Sequence, residues 1–233
     1  MRRVYKEATA RPVERGWGVF LDGRRLRTPA RRELTVPSRD LAEAIAAEWD
    51  AQETDIRPHT MPLTRLAATA LDHTAARRDT IVNDIANYAG TDLVCYRAEQ
   101  PPALAARQHA AWQPLIDWAA MRYDAGLAVT AGIVPTPQSP ASLGAFAAAV
   151  AAFDDFCLTA LQALTAACGS LVIALALAEG RLDAEAAFDV SQLDETFQIE
   201  AWGEDAEAME RRELLAQDIR AAARFLELLS AAP

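Results

Sequence analysis

Residues 156–178 contain no charged side chain, and this run of 23 residues is the strongest constraint that the sequence places on a fold. A single helix of that length is long enough to cross a bilayer. Polar residues interrupt the run, acidic residues lie at both of its ends and cationic anchors are scarce beside it, which is not the pattern of a membrane span. We therefore expect a helix that is buried on all sides within a helical bundle.

A small antiparallel sheet is predicted at the N-terminal end of the chain. Asp22-Gly23 suits a type I′ turn, because both central residues of that turn take positive φ. Alternating apolar runs at residues 17–21 and 26–28 flank the dipeptide, so the two runs form a β-hairpin. Further strands are predicted at residues 4–8 and 33–36.

Helical periodicity replaces this pattern after Pro37. Ser38 is placed to cap the first helix, whose apolar face consists of Leu41, Ile45 and Trp49. The other predicted helices span residues 64–73, 77–88, 102–123 with a kink or break at Pro114, 142–178 in one or two pieces, 183–202 and 204–229, with a proline-rich loop at 132–140. The patterns predict an α+β fold, in which a small antiparallel β-rich unit at residues 1–37 precedes a larger helical domain at residues 38–233.

The charge of the chain is unevenly distributed. The formal net charge is −10, but the first 40 residues contain eleven Arg or Lys against five Asp or Glu. Nucleic-acid binding requires clustered cations and exposed aromatic side chains among them, and this acidic chain offers no such combination. Charge asymmetry of this kind is typical of proteins that are steered toward a protein partner. We expect no nucleic-acid partner.

The sequence contains none of the common catalytic or cofactor-binding motifs. It has no Gly-rich phosphate loop, no GxSxG and no HExxH, and its three histidines lie at spacings that match no local metal site. Adjacent carboxylates such as Asp194 and Glu195 point about 100° apart on a helix, which separates them for acid–base chemistry. We expect neither enzymatic activity nor a cofactor or metal.

The cysteines and the N-terminal residues favour a reducing compartment. The three cysteines form no CxxC pair, and their odd number does not suit a disulfide framework. No apolar run follows the basic residues at the N-terminus, in contrast to a signal peptide. We expect a cytoplasmic protein without stable membrane insertion.

The predicted helix that ends at Trp202 carries a polar stripe beside its apolar one. The polar stripe follows the spacing i, i+4, i+7 and i+11, and its members are Ser191, Glu195, Gln198 and Trp202. One interpretation is a solvated face with the tryptophan folded onto the core. The other is a docking surface, because tryptophan beside charged and amide groups is typical of interface hot spots.

Six segments of the chain follow the order of motifs in a known family. They are Leu21–Pro29 (LDGRRLRTP), Thr35–Ser38 (TVPS), Ala47–Gln52 (AEWDAQ), Thr91–Arg97 (TDLVCYR), Trp112–Ala119 (WQPLIDWA) and Ser191–Gly203 (SQLDETFQIEAWG). With these segments the chain resembles the assembly chaperones that hold the alpha subunit of the catalytic sector of F-type ATP synthase. The resemblance extends over nearly the whole chain, and six matches in one order are hard to explain by chance.

The resemblance implies both a fold and a function. The fold is a small β-rich unit followed by a helical domain. The function is that of a molecular chaperone that binds the unassembled alpha subunit, prevents its aggregation and hands it over during assembly with the beta subunit. The family's critical acidic position falls here on Glu195 or Asp194, ahead of Gln198 and Trp202. Together with Trp49, these residues are the expected client-binding set.

The alternative is an enzyme or a small-molecule-binding protein. Its pocket would lie between the β-rich unit and the helices. Arg24, Arg25 and Arg27 would line that pocket together with carboxylates of the helical part. An organic ligand that copurifies with the protein would favour this alternative.

Overall fold

The computed structural model of the chain describes residues 2–132 and 134–230. These residues form two compact units. Unit 1 contains residues 2–78, 154–160 and 224–230, and unit 2 contains residues 79–132, 134–153 and 161–223. Strands give way to helices after residue 36, and unit 1 takes in the helical residues that follow as far as residue 78.

Unit 1 is built on a four-stranded antiparallel sheet. Its strands are β1 (Ala8–Val13), β2 (Gly16–Leu21), β3 (Arg24–Arg25) and β4 (Thr35–Val36). β2 pairs with each of the other three strands. The predicted hairpin is present, but its return strand is Arg24–Arg25 rather than residues 26–28. The strand before Pro37 is confirmed, although only its last two residues form β4.

The first strand begins later than expected, at Ala8. The side chain of Arg3 holds the preceding segment, since it donates hydrogen bonds to the carbonyl oxygens of Tyr5 and Lys6 at 3.1 and 2.8 Å. The amide of Lys6 donates to the carboxylate of Asp22 at 2.9 Å. These side-chain bonds take the place of the ladder bonds that a strand would make there.

The turn between β2 and β3 has the predicted geometry. Asp22 has a φ of 47° and Gly23 a φ of 78°, so both central residues lie in the left-handed region that a type I′ turn requires. The Asp22 carboxylate accepts hydrogen bonds from the amides of Lys6 and Glu7, and these bonds lower its pKa.

Helix α1 (Arg39–Asp50) begins at its predicted cap. The hydroxyl of Ser38 accepts a hydrogen bond from the amide of Leu41 at 3.1 Å. Leu41 and Ile45 are fully buried, and the core of unit 1 also contains Val19 of β2 and Phe225. Each side chain of this size contributes about 1.5–3 kcal/mol when it is buried, so the sheet and α1 stabilise each other.

Helix α2 (Pro62–Thr69) continues into one π-helical turn at Ala70–Thr74. The helix predicted at residues 64–73 is therefore present, with a change of pitch at its end. Thr74 is buried, and its hydroxyl lies 2.6 Å from the hydroxyl of Thr159 within the same unit. Each hydroxyl thus has a hydrogen-bond partner in the core.

Unit 2 is mainly helical. The helices after α2 are α3 (Arg78–Asn87), α4 (Pro102–Tyr123), α5 (Pro140–Ala151), α6 (Asp155–Cys168), α7 (Leu171–Ala178), α8 (Ala184–Ser191), α9 (Leu193–Trp202) and α10 (Ala206–Ser230). The first residue of α3, the first residues of α6 and the last residues of α10 belong to unit 1. Strands β5 (Tyr96–Arg97) and β6 (Thr130–Ala131) form a short parallel pair.

Helix α4 runs through Pro114 without a break. Proline removes one backbone hydrogen bond from a helix. Trp112, Leu115 and Ile116 are buried around it, and their packing holds the two halves in one helix. The loop predicted before α5 is present, apart from Ile133, which lies outside the described residues.

The uncharged run forms two helices rather than one. Gly169, with a φ of 63°, ends α6, and the hydroxyl of Ser170 caps α7 by accepting a bond from the amide of Ile173 at 3.0 Å. Residues Leu171 to Leu177 are all buried, so the prediction of an all-round buried helix is correct for α7. No helix among the described residues is both long enough and apolar enough to cross a membrane.

A buried carboxylate lies at the start of α7. Asp92 is fully buried, and its carboxylate accepts hydrogen bonds from the amides of Val172 and Val94 at 3.1 and 3.2 Å. Burial raises the pKa of Asp92 to about 6, although the hydrogen bonds from Ser170 and from these amides act in the opposite direction. The amide of Val172 lies in the first turn of α7, where backbone amides have no partner within the helix, and the carboxylate of Asp92 supplies one.

Candidate protein-binding groove

A groove of about 460 Å³ lies in unit 2, where α9 turns into α10. We call it the C-terminal groove. Three residues of the predicted client-binding set, Glu195, Gln198 and Trp202, line it from α9. Arg211 and Leu215 line it from α10. The structure thus brings these three predicted residues onto one surface.

Trp202 is the dominant side chain of this groove because it is 81% exposed at the end of α9. Gly203, with a φ of 90°, stops the helix directly after it. Asp205 then caps α10 by accepting a hydrogen bond from the amide of Ala208 at 2.9 Å. This tight turn leaves the indole without a neighbour that folds over it. The interpretation in which Trp202 packs onto the core is therefore wrong.

The helix predicted at residues 183–202 is divided into α8 and α9 at Gln192, whose φ of −106° and ψ of 22° are not helical. Arg212 of α10 donates hydrogen bonds to the side chain of Gln192 at 3.1 Å and to the hydroxyl of Thr196 at 3.0 Å. Ser191 is buried at the end of α8 and is not part of the exposed stripe. The exposed stripe therefore begins at Glu195.

The two residues of the acidic pair have different surroundings. Asp194 is half-buried, and its carboxylate accepts a hydrogen bond of 2.7 Å from the side-chain amide of Gln108, which is buried on α4. Glu195 is exposed, and no hydrogen bond or ion pair of its side chain is present among the described residues. Asp194 is therefore a structural contact, whereas Glu195 is available to a partner.

The environment of Asp194 also contains a poorly solvated arginine. Arg97 of β5 lies with its guanidinium 5.0 Å from the ring centroid of Trp112. Burial lowers the pKa of Arg97, and the charge of Asp194 acts in the opposite direction. The Nε and Nη2 atoms of Arg97 have no hydrogen-bond partner among the described residues. The carboxylate of Asp194 therefore supplies a counter-charge inside unit 2.

Sequence reasoning missed the second wall of the groove. Arg211 and Leu215 line it from α10, and Ile199 lines the α9 side of the groove, but none of these residues was expected as a site residue. Gly203 lies between the two predicted helices, and a glycine at a helix end indicates a turn. This signal could have predicted that α10 returns beside α9.

Trp49 belongs to unit 1 and lines a different groove of about 640 Å³, which we call the unit 1 groove. Of the three arginines of the alternative pocket, only Arg27 lines this groove. Arg25 is bound to Glu33 and to the hydroxyl of Thr35, the latter at 3.1 Å. The predicted arginine cluster is therefore not formed there.

The histidine, cysteine and acidic side chains of the described residues are the candidates for a reactive centre. None of their His, Cys, Asp and Glu side chains form a group of three or more that could hold a metal ion. Cys95, Cys157 and Cys168 are free, and burial raises the pKa of each thiol to about 12. A raised pKa leaves little of a thiol in the reactive thiolate form at neutral pH. An exposed tryptophan beside polar groups is, in contrast, typical of the surfaces at which proteins bind one another.

Comparison with known proteins agrees with a protein that binds other proteins. The family model described as ATP12 chaperone protein matches residues 2–120. The mitochondrial protein atp12 of Schizosaccharomyces pombe is 25% identical over 228 residues, which cover 91% of this chain and 78% of that protein. The crystal structure of Atp12 from Paracoccus denitrificans is 43% identical, covers 98% of both chains and has a TM-score of 0.94. The Atu1473 protein of Agrobacterium tumefaciens is 41% identical, with a TM-score of 0.93 over 98% of this chain and 86% of that one.

The chain belongs to the ATP12 chaperone family. The resemblance drawn from the six sequence segments is thus confirmed, as is the α+β fold with a small sheet before a larger helical part. As a member of this family the protein is a chaperone of ATP synthase assembly. The alternative of an enzyme or small-molecule binder is not favoured.

Proposed function

We propose that this chaperone binds the unassembled alpha subunit of the F-type ATP synthase, prevents its aggregation and releases it to the beta subunit. The C-terminal groove is the contact surface in this proposal. The observation that carries it is the 81% exposure of Trp202 beside Glu195 and Gln198. The protein acts by binding alone, without catalysis and without hydrolysing nucleotide.

The physical basis is the apolar surface that a subunit exposes before its neighbour covers it. Large exposed apolar patches drive aggregation, and a chaperone that covers such a patch removes it from solution. Trp202 and Ile199 offer apolar area to the client, while the exposed charges of Glu195 and Arg211 orient it. Exposed charges contribute more to orientation than to affinity, so the beta subunit is able to displace the chaperone.

Glu195 is the acidic contact in this proposal, rather than Asp194. The carboxylate of Asp194 is already bonded to Gln108, whereas that of Glu195 is exposed. Gln198 adds an exposed amide in the same groove. Trp49 remains a proposed client contact on unit 1. We also propose that the protein is located in the cytoplasm.

The experiment is to dilute denatured alpha subunit into buffer and follow its aggregation by light scattering, with and without the chaperone. We expect an equimolar amount of chaperone to suppress scattering and to elute with the alpha subunit in size-exclusion chromatography. Addition of beta subunit should then release the chaperone. Undiminished scattering together with the absence of a complex would overturn the proposal.

A further inference from the structure

Two of the sequence segments that are not part of the C-terminal groove meet in unit 1. The end of Leu21–Pro29 and Trp49 of Ala47–Gln52 both line the unit 1 groove. The apolar floor of this groove is deeply buried, since Leu34 is 1% and Met61 is 2% exposed. The two segments thus form a concave surface in unit 1 that is separate from the C-terminal groove of unit 2.

Side chains of the Ala47–Gln52 segment hold the wall of the groove in place. The carboxylate of Glu48 accepts hydrogen bonds from the amides of Leu63 and Thr64 at 2.7 and 2.8 Å, and so caps α2. The side chain of Gln52 accepts a bond from the amide of Arg57 at 2.8 Å. These hydrogen bonds connect the end of α1 to the residues before α2 and to the first turn of α2. The groove is therefore a preformed surface.

Among the described residues that line the groove, Asp72 has the one carboxylate, and that carboxylate is already hydrogen-bonded. Asp72 accepts a hydrogen bond from the hydroxyl of Thr28 at 2.7 Å and another from the amide of Ala30 at 3.0 Å. These two bonds use both oxygens of Asp72. They fix the chain at Leu26–Pro29 along one side of the groove and reduce the ability of the carboxylate to repel an acidic ligand.

The cations of the groove, in contrast, are free to act on a ligand. Arg27 and Arg65 line it and are exposed. Their guanidinium groups have no hydrogen bond or ion pair with the other described residues. The Nε1 atom of Trp49 is buried and also lacks an acceptor among the described residues. The groove therefore offers two unpaired guanidinium groups, those of Arg27 and Arg65.

We infer that the unit 1 groove is a second binding site, which takes an extended segment of a polypeptide that carries apolar side chains next to carboxylates. The apolar side chains pack on the accessible apolar lining at Pro29, Ile56 and Pro58, and the carboxylates pair with Arg27 and Arg65. Such a site lies beyond the proposed contact in unit 2, and it does not depend on the identity of the alpha subunit as client.

A polypeptide fits this chemistry better than a nucleic acid or a single small molecule. An extended polypeptide can present apolar side chains and carboxylates at several neighbouring positions. Nucleic-acid binding depends on many phosphate contacts, and the groove has only two arginines on its described lining. The family is one of chaperones, and chaperones act on polypeptides.

The probe is a fluorescein-labelled nonapeptide of alternating leucine and glutamate, with a leucine–lysine peptide as its counterpart. Binding to the full chain is measured by fluorescence anisotropy at low salt. The variants are Arg27→Glu and Arg65→Glu, which reverse the two charges, Trp49→Phe, which reduces the aromatic lining, and Ala68→Trp, which fills the groove. Arg24→Glu is the matched control, because Arg24 is exposed in unit 1 but does not line the groove.

We expect wild type and Arg24→Glu to bind the leucine–glutamate peptide alike and to bind the leucine–lysine peptide much more weakly. Each charge reversal should weaken binding of the leucine–glutamate peptide by roughly tenfold or more. Trp49→Phe should weaken it by a few-fold. Melting curves establish which variants fold. If Ala68→Trp does not fold, the two arginine variants still test the inference, because both substitutions are at exposed positions.

Three outcomes would overturn the inference. The first is that wild type does not bind the leucine–glutamate peptide, or that Arg24→Glu weakens binding as much as Arg27→Glu does. The second is that decanoate, rather than the peptide, binds in a manner sensitive to the groove variants, which would make the ligand a small amphiphile. The third is a dimer in sedimentation that Ala68→Trp dissociates, which would make the occupant a second copy. None of these measurements uses the alpha subunit, so the proposed function is tested separately.

Discussion

The buried side-chain amide of Gln108 donates a hydrogen bond of 2.7 Å to the carboxylate of Asp194. This bond joins α4 to the first turn of α9 and directs Asp194 into unit 2. The next residue, Glu195, is exposed in the C-terminal groove. Two adjacent acidic residues thus differ in role, because only one of their side chains has a hydrogen-bond partner among the described residues.

Replacement of Asp194 by alanine should lower the free energy of unfolding by about 1–3 kcal/mol. The reason is that the buried amide of Gln108 loses its acceptor and is not rehydrated. Glu195→Ala should change the free energy of unfolding by less than about 0.5 kcal/mol, as exposed substitutions usually do. Urea unfolding at equilibrium measures both values. Equal effects of the two substitutions would contradict the assigned roles.

Reversal of the charge of Glu195 should reduce client binding while the protein stays folded. In Glu195→Lys we expect the free energy of unfolding to fall by less than about 1 kcal/mol, because the residue lies in the first turn of α9, where a negative charge is favourable. Suppression of alpha-subunit aggregation should decrease strongly, since like charges then meet across the interface.

Glu210→Lys is the control for this charge reversal, because Glu210 is exposed on α10 and does not line the groove. The control should suppress aggregation as wild type does. If Glu195→Lys also retained full suppression of aggregation, Glu195 would be excluded as a client-binding residue. A large loss of stability in Glu195→Lys would instead show that its role is structural.

Trp202→Ala should abolish most of the client binding without loss of stability. The indole is 81% exposed and buries little area in the free protein, whereas truncation of a hot-spot tryptophan typically costs about 2 kcal/mol or more of binding energy. Met121→Ala is the control, because Met121 is an apolar side chain of similar exposure, 82%. Titration of labelled alpha subunit with each variant measures the affinities, and similar losses in both variants would argue against a specific groove.

Gly23→Val should destabilise unit 1 by roughly 1–3 kcal/mol, because a β-branched residue is strained at a positive φ. A side chain at this position would meet no atom within 4 Å, so the cost comes from the backbone conformation alone. Gly23→Asn should cost much less, since asparagine tolerates this region. Thermal unfolding of the two variants separates the effects, and an unchanged melting temperature for Gly23→Val would disprove the turn assignment.

Stability should fall as the pH rises through the range in which Asp92 titrates. Its pKa is raised from 3.8 to about 6 in the folded protein, so between these values the native state holds a proton that the unfolded state has lost. Above pH 6 the contribution of this group to the free energy of unfolding is lower by roughly 3 kcal/mol than below pH 4.

Asp92→Asn removes this titration, so the stability of the variant should depend less on pH between 4 and 6. Urea unfolding at a series of pH values measures the slope, which is independent of any uniform loss caused by the substitution. Asp79→Asn is the control, because Asp79 is exposed on α3. An identical slope in Asp92→Asn and wild type would contradict the prediction.

The elements predicted correctly from the sequence depend on interactions between near neighbours. The Asp22-Gly23 turn requires only the backbone freedom of two residues, and the cap at Ser38 involves an amide three residues away. The buried helix α7 follows from the absence of charge in one short segment. Local propensity and composition therefore determined the class of fold, and the order of six motifs identified the family.

Contacts between distant residues decided the rest. The break at Gln192 is held by Arg212, and the inward direction of Asp194 depends on Gln108, which is 86 residues away along the chain. No periodicity within α9 contains that information, so sequence reasoning left Asp194 and Glu195 undecided. Tertiary packing alone separated the structural carboxylate from the exposed one, because burial and hydrogen bonding are properties of the folded chain.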